Sequence, residues 1–161
     1  MIPRYNVKPF SEVYKWKCEM SALMFLKSGE LGLNSEEFAR LALTGKIGQL
    51  LYTHDSPEVW YGPLYTLELI EQEDHVKFPK GDVVSDLYLR WAGYLYFYWC
   101  DAFNMTGKEI YAEAPLNELI DFYEGIHVMS FEDQIKNILE CNEIKKTGDD
   151  LFTVRKRLFG E

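Results

Sequence analysis

The sequence predicts an all-α fold in a single domain, and three observations support this. Apolar residues recur at intervals of three and four along most of the chain, whereas sustained alternation of apolar and polar residues is absent. A chain of 161 residues has the size of one domain and can bury a core. Its most apolar stretch, residues 84–103, contains no proline and one glycine. We therefore expect a single helical domain of about six or seven helices packed around a central aromatic helix over residues 84–103.

The central stretch carries two apolar faces, which is typical of a buried helix or a membrane span. Arg90 and Asp101 leave only residues 91–100 uninterrupted, and a span needs about 20 apolar residues. The sequence thus favours a buried helix and no membrane segment. Three side chains are expected in the core: Trp91, Leu95 and Tyr98. Two tyrosines, Tyr88 and Tyr96, could serve either the core or recognition of a partner.

The first helix is expected to begin at Ser11, which can cap it, and to run to about Ser28 with Gly29 as its C-cap. Lys17 belongs to its polar side. The apolar stripe of this helix comprises Val13, Trp16, Met20, Leu23 and Met24.

Three further elements are expected before the central stretch. Asn34 or Ser35 can cap a second helix, and residues 47–52 form a short helix or an extended piece. Pro63 suits the first position of a helix that continues to about residue 73. Leu64, Leu67 and Ile70 should point inward from that helix.

Signals for helix starts also follow the central stretch. Thr106 begins a short helix to about residue 114, Pro115 begins the next, and Ser130 followed by Asp133 resembles a capping box. After Asn142 the chain becomes basic. We therefore divide it into a helical domain, residues 1–142, and a basic tail, residues 143–161. The tail should pack on the domain or on a neighbouring subunit, and its apolar run at residues 151–154 could be a strand or a short helix.

The charge distribution points to a basic protein partner. The net charge is −9, which argues against direct binding of a nucleic acid through a basic face. It permits a basic partner, or mimicry of nucleic acid toward a protein that binds it. Residues 109–143 are strongly acidic and contain few neighbouring cations. The candidate partner-binding carboxylates are Glu113, Glu118, Asp121, Glu124 and Asp133.

A second candidate partner-binding element is the irregular stretch before Pro63. Trp60 and Tyr61 lie there between two proline-containing breaks, so this loop carries its own aromatic anchor. A pocket beneath the Trp60-Tyr61 loop could hold a ligand or a substrate.

No catalytic, metal or cofactor set emerges from the sequence. Glu124 and His127 have the Glu-x-x-His spacing of di-iron bundles, but a second copy is missing, so local hydrogen bonding of His127 is favoured. Glu71 and His75 stand one turn apart on a polar segment. His54 and Asp55 lack a third group with which to form an acid–base system. We predict no metal and no cofactor, and a non-enzymatic role is favoured over an enzyme.

The cysteines and the N-terminus favour the cytoplasm. Cys18, Cys100 and Cys141 are odd in number and lack Cys-x-x-Cys spacing, which is typical of free thiols in a reducing compartment. Cys100 lies in the apolar central stretch and should be buried. No secretion signal opens the chain.

One resemblance to known proteins can be stated. It is carried by Trp91-Ala92-Gly93-Tyr94, Tyr98-Trp99, residues 106–111, Ala114-Pro115, Tyr123 and His127, with a further match from Leu50-Leu51 to Trp60 and Pro63. Over about residues 50–140 the chain resembles small uncharacterised bacterial proteins encoded in toxin–antitoxin-like or mobile-element operons. The resemblance implies an interaction or neutralising role and supplies no catalytic residues.

Three functions remain open at this point. The favoured one is a cytoplasmic protein–protein interaction protein, an antitoxin-like or inhibitory component that acts through an acidic helical face. Its partner would be a basic protein, either a toxin or a nucleic-acid-binding protein, and a homodimer is left open. The alternatives are a small enzyme or ligand-binding protein with a pocket under the Trp60-Tyr61 loop, and a phage-type inhibitor that mimics nucleic acid.

Overall fold

The structure is a computed structural model that describes residues 2–53 and 62–161, so the Trp60-Tyr61 loop lies outside the described residues. Within these ranges the protein is all-helical, as predicted, and its only β interaction is an isolated bridge between Leu33 and Lys80. The described residues form nine α-helices: α1 (Lys15–Glu30), α2 (Ser35–Thr44), α3 (Lys46–Leu51), α4 (Pro63–Glu73), α5 (Asp86–Phe103), α6 (Gly107–Glu113), α7 (Leu116–Ile126), α8 (Phe131–Thr147) and α9 (Leu151–Phe159). For the segments that form α3 and α9, the sequence was compatible with either a helix or an extended conformation. No helix in the described ranges has both the length and the apolar character needed to cross a membrane.

Helix α5 buries most of its surface against its neighbours. Trp91 and Leu95 are buried, as predicted, and Tyr96 is fully buried. The Tyr96 hydroxyl donates to the carbonyl oxygen of Ala114 at 2.7 Å, which gives the buried group the partner that it needs. Tyr98, expected in the core, is only partly buried and stacks on Phe10 with ring centroids 4.4 Å apart.

Helices α1 and α5 run antiparallel and approach each other closely. A Cβ atom added at Gly93 of α5 would lie 2.7 Å from the carbonyl oxygen of Ser21 in α1. The Ser21 hydroxyl donates to the Gly93 carbonyl oxygen at 2.7 Å and pairs with the Tyr52 hydroxyl at 2.6 Å. Gly29 lies inside α1, which ends at Glu30, so its predicted role as a C-cap is wrong. Instead, Gly29 leaves room for the side chain of Leu89.

The predicted inward face of α1 is correct only in part, because Met24 is fully buried whereas two other members of the stripe are exposed. Trp16 and Leu23 are 41% and 43% exposed, whereas Lys17 is buried. The buried face of α1 combines small residues, Ser21 and Ala22 among them, with the large side chains of Met24 and Phe25, and the small ones lie where α1 approaches Gly93 of α5 most closely. The largest apolar side chains of α1 are therefore not all on its packed face.

Several predicted helix starts are confirmed. The Asn34 side chain accepts a hydrogen bond from the backbone N–H of Glu37 at 3.0 Å, and Thr106 forms a full capping box with Glu109. Ser130 caps α8 by accepting the N–H of residue 133. Pro63 is the first residue of α4, although Leu64, expected to point inward, is 43% exposed.

The predicted boundary at Asn142 lies inside a helix, because α8 continues through it to Thr147. The rest of the tail forms α9, which buries Val154 and Leu158. The backbone N–H groups of Arg4 and Tyr5 donate to carbonyl oxygens in the last turn of α9, at residues 157 and 158. The segment after Asn142 thus packs on the chain's own helices.

Candidate functional site

Helix α7 exposes a row of carboxylates. Leu116, Leu119 and Ile126 are buried at helical spacing, which directs the opposite side of the helix outward. That outward side carries Glu118, Asp121 and Glu124, all of them exposed. The sequence of α7 contains no lysine or arginine.

Asp133 adds a fourth exposed carboxylate in the first turn of α8. We call Glu118, Asp121, Glu124 and Asp133 the acidic surface. The sequence predicted that packing of the apolar stripes would turn these groups outward, and their exposure agrees with that expectation.

Glu113 differs from the other four predicted carboxylates. It lies on α6, and its side chain is only 17% exposed. Its Oε2 atom accepts a hydrogen bond from Asn142 Nδ2 at 2.9 Å, and Oε1 lies 3.7 Å from Lys146 Nζ. The Glu113 carboxylate therefore joins α6 to α8 and is not part of the acidic surface.

Two arginines of the tail, and Arg4 near the N-terminus, pair with two buried carboxylates of α8, Glu140 and Glu143. Arg155 Nε lies 3.3 Å from Glu140 Oε1, and Arg4 Nη1 lies 2.6 Å from Glu143 Oε2. Arg157 also approaches Glu143, at 3.5 Å. Hydrogen bonding and attraction by Arg4 lower the pKa of the Glu143 carboxyl below its ordinary value. These cations therefore act on Glu140 and Glu143, which are buried, and leave α7 acidic.

Cations border parts of the acidic surface. Lys136 and Arg155 line a depression together with Asp133. Lys145 lines a shallow depression of about 490 Å³ together with Glu118 and Asp121, with Phe122 and Asn142 completing the lining. It offsets part of the charge at that end of α7. Glu124, at the other end, lies in the last turn of the helix, where the macrodipole disfavours an acidic side chain by about 0.3–1 kcal/mol. Helix stability therefore does not explain the choice of a carboxylate at this position.

Sequence reasoning missed one carboxylate that supports α7. Glu36 Oε2 on α2 accepts a hydrogen bond from the backbone N–H of Asn117 in the first turn of α7, at 3.2 Å. Burial and then the Glu36 carboxylate raise the pKa of Tyr111. The two residues of this cap are 81 positions apart, so no local pattern could reveal it.

The Glu-x-x-His pair is part of the helix end. His127 Nδ1 donates to the carbonyl oxygen of Tyr123 at 2.8 Å, and its ring stacks on the Tyr123 ring with centroids 4.4 Å apart. This is the local hydrogen bonding that the sequence favoured. Across residues 2–53 and 62–161, no group of three or more His, Cys, Asp or Glu side chains is arranged to hold a metal ion.

The other candidate chemical groups have structural partners. Glu71 Oε2 accepts the backbone N–H of Phe78 at 3.0 Å and so closes the turn after α4. Cys100 is fully buried, as predicted, and burial raises the pKa of its thiol well above the ordinary value. His54 and Asp55 lie outside the described residues, as do Trp60 and Tyr61.

Comparisons with known proteins identified no relative of this chain. No protein-family model matches the chain, and no curated protein or solved structure is similar enough to count as a match.

Proposed function

We propose that the protein is a protein–protein interaction protein whose acidic surface binds a basic partner. The observation that carries the proposal is the row of exposed carboxylates on α7, a helix that has no cation of its own. The role is that of an inhibitory or antitoxin-like component in the cytoplasm, in line with the resemblance to proteins of toxin–antitoxin-like operons. A toxin and a nucleic-acid-binding protein are the two partner classes with the required basic surface.

The mechanism is electrostatic steering onto a rigid helix. An isolated exposed ion pair contributes about 0–1 kcal/mol, but several like charges sum to a field that speeds the approach of an opposite charge. The three carboxylates lie within seven residues of α7, and the first and last are about 9 Å apart along the helix axis. In this proposal α5 is the aromatic centre of the domain, and α7 is held by packing of Tyr123 against Trp91, with ring centroids 5.0 Å apart.

The alternative of nucleic-acid mimicry shares the same surface. A protein that binds nucleic acid presents a cationic groove, and a row of carboxylates can occupy it in place of phosphates. The enzyme alternative depends on the Trp60-Tyr61 loop, which lies outside the described residues, and no described residue favours it.

A pair of triple variants tests the proposal. The first reverses the row on α7: Glu118→Lys, Asp121→Lys and Glu124→Lys. The control reverses three exposed carboxylates elsewhere: Glu68→Lys, Glu73→Lys and Asp82→Lys. Each set changes the net charge from −9 by three times +2, to −3, so the variants share total charge and differ only in its location.

Affinity purification from the native host, with wild type and both variants as bait, gives the readout. The proposal predicts a basic protein retained by wild type and by the control variant and lost from the α7 variant. Retention by all three, with both variants folded by circular dichroism, would contradict it.

A further inference from the structure

Helix α1 carries apolar side chains on more than one face. Met24 and Phe25 are fully buried on the packed face, whereas Trp16 and Leu23 are 41% and 43% exposed on the outer one. Trp16 and Leu23 are seven residues apart, about two helical turns, so their side chains lie in line along the helix. A helix that is apolar on several faces is typical of one that is covered on all of them. The outer side of α1 therefore has the character of an interface.

Partly buried apolar side chains widen this outer side. Met20 and Leu26 pack against the core of the domain and remain partly exposed. Leu87, on the adjoining edge of α5, is 56% exposed and lines a shallow depression together with Leu26. We call these five residues the α1 face: Trp16, Met20, Leu23, Leu26 and Leu87.

Charged side chains of both signs surround the α1 face in equal number. On α1 they are Lys15, Glu19, Lys27 and Glu30, and on the edge of α5 they are Asp86 and Arg90. Lys27 Nζ lies 3.2 Å from Glu30 Oε2, and both side chains remain partly exposed. Lys17 is buried and Glu12 precedes the helix, so neither belongs to this rim. Three cations and three carboxylates leave the rim without net charge.

The order of the charges along α1 fits a second copy of the same helix. Glu19 and Lys27 stand four residues before and four residues after Leu23. When two copies of α1 pack antiparallel about a twofold axis at Leu23, each Glu19 faces Lys27 of the second copy. Trp16 and Glu30, seven residues on either side of Leu23, face each other in the same way. A parallel arrangement would instead place each charge opposite its own copy.

A second copy fits this rim better than a partner of one charge sign. A basic or an acidic helix would meet like charges at three of the six rim positions, and like charges across an interface disfavour association. The antiparallel copy brings opposite charges together at Glu19 and Lys27 and places apolar side chains against apolar side chains. Isologous contacts of this kind are the commonest in homo-oligomers.

We propose that the protein forms a homodimer through the α1 face, with the two α1 helices antiparallel and Leu23 at the twofold axis. Helix α1 has 16 residues and is about 24 Å long. Stable interfaces bury about 1,200–2,000 Å² or more, and a contact limited to this helix and the edge of α5 is at the small end of that range. The dimer should therefore be in a concentration-dependent equilibrium with the monomer. The α1 face shares no residue with the acidic surface, and the inference does not depend on the function proposed for that surface.

Charge-swap variants test the antiparallel pairing. Glu19→Lys alone places two cations opposite each other at both ends of the contact, and Lys27→Glu alone places two carboxylates there. Each should raise the dissociation constant of the dimer at least tenfold. The double variant, Glu19→Lys with Lys27→Glu, should restore the dimer, and so should an equal mixture of the two single variants, because opposite charges then face each other again.

Sedimentation velocity over a range of protein concentrations at low ionic strength measures the dissociation constant, and circular dichroism confirms that each variant is folded. The matched controls are Glu73→Lys and Lys77→Glu, which change the net charge equally at exposed positions outside the α1 face. Both controls should dimerise as the wild type does, and so should the α7 triple reversal.

A second pair of variants tests the apolar centre of the contact. Leu23→Asp should abolish the dimer because it places two carboxylates at the twofold axis. Leu64→Asp, at a leucine of α4 that is also 43% exposed, should leave the dimer intact.

Three outcomes would overturn the inference. The first is a wild type that stays monomeric at every concentration, and the second is a dimer that survives Leu23→Asp. The third is a dimer that the single charge variants do not weaken, or that neither the double variant nor the mixture restores.

Discussion

Gly93→Ala should destabilise the protein because the added methyl group has no space between α1 and α5. Its Cβ would lie 2.7 Å from the Ser21 carbonyl oxygen and 2.9 Å from the Ala22 Cα, both of them backbone atoms that cannot rotate away. The two helices must therefore separate. Overpacking of this kind costs about 1–3 kcal/mol. Weakening of the hydrogen bond from Ser21 Oγ to the Gly93 carbonyl oxygen adds about 1 kcal/mol.

Gly125→Ala is the matched control for this substitution. Gly125 lies within α7, is exposed, and has no atom within 4 Å of an added Cβ. Alanine is favoured over glycine by about 1 kcal/mol in a helix, and this gain is common to both sites. The free energy of unfolding should therefore be about 2–4 kcal/mol lower for Gly93→Ala than for Gly125→Ala.

Urea unfolding followed by circular dichroism measures this difference. Two-state transitions with similar slopes are needed for the comparison. If Gly93→Ala proves as stable as Gly125→Ala, α1 and α5 do not approach as closely as described.

Three further predictions concern the core, the tail and pH. Trp91→Ala should lower the free energy of unfolding by about 3–5 kcal/mol, because it empties a buried site and removes the indole N–H that donates to Gln134 Oε1 at 2.9 Å. A loss below about 1 kcal/mol in urea unfolding would contradict burial of the indole. Leu158→Ala should lower the free energy of unfolding by about 2–5 kcal/mol, whereas Phe152→Ala, at an exposed site, should lower it by less than about 0.5 kcal/mol. If the effect of Leu158→Ala vanishes in 1 M salt, charge and not apolar burial holds α9 in place. The lowered pKa of Glu143 makes its contribution to stability fully present above about pH 4.5 and lost as pH falls below it. Glu143→Gln should therefore lower the urea midpoint at pH 6 much more than at pH 3, whereas an equal drop at both would argue against the Arg4 interaction.

The features that sequence reasoning predicted well are local ones. Asn34, Thr106 and Ser130 each cap the helix that follows them, because the cap and the N–H group that it accepts are within three residues of each other. The outward direction of the α7 carboxylates follows in the same way from the helical spacing of its buried leucines.

The features that it missed depend on contacts between distant elements. Lys17 was assigned to a polar face, but its aliphatic stem is buried while its ammonium group lies 5.2 Å from the ring centroid of Tyr14 and 5.9 Å from that of Trp16. The close approach of α1 to Gly93 of α5 places Ser21 and Ala22 at the contact, whereas the larger Trp16 and Leu23 are exposed. The cap from Glu36 to α7 joins residues far apart in the chain, so it can be recognised only from the folded structure.

The change to a basic composition after Asn142 was a poor guide to structure. Lys145 and Lys146 occupy the last turn of α8, where cations are favoured by the helix dipole, so the helix continues through the change in charge. The arginines beyond it pair with carboxylates that point toward α9. The basic composition therefore indicated which oppositely charged residues pair, whereas helical periodicity indicated where α8 ends.

The rate of association with the partner tests the acidic surface most directly. With the partner found by affinity purification, surface plasmon resonance at low and at physiological ionic strength would compare wild type, the α7 triple reversal and the control triple variant with Glu68→Lys, Glu73→Lys and Asp82→Lys. We predict an association rate at least tenfold lower for the α7 reversal than for the control, and a smaller difference between the two rates at higher salt, which screens the field. Equal association rates for the two triple variants at low ionic strength would contradict the claim that the carboxylates of α7 direct binding.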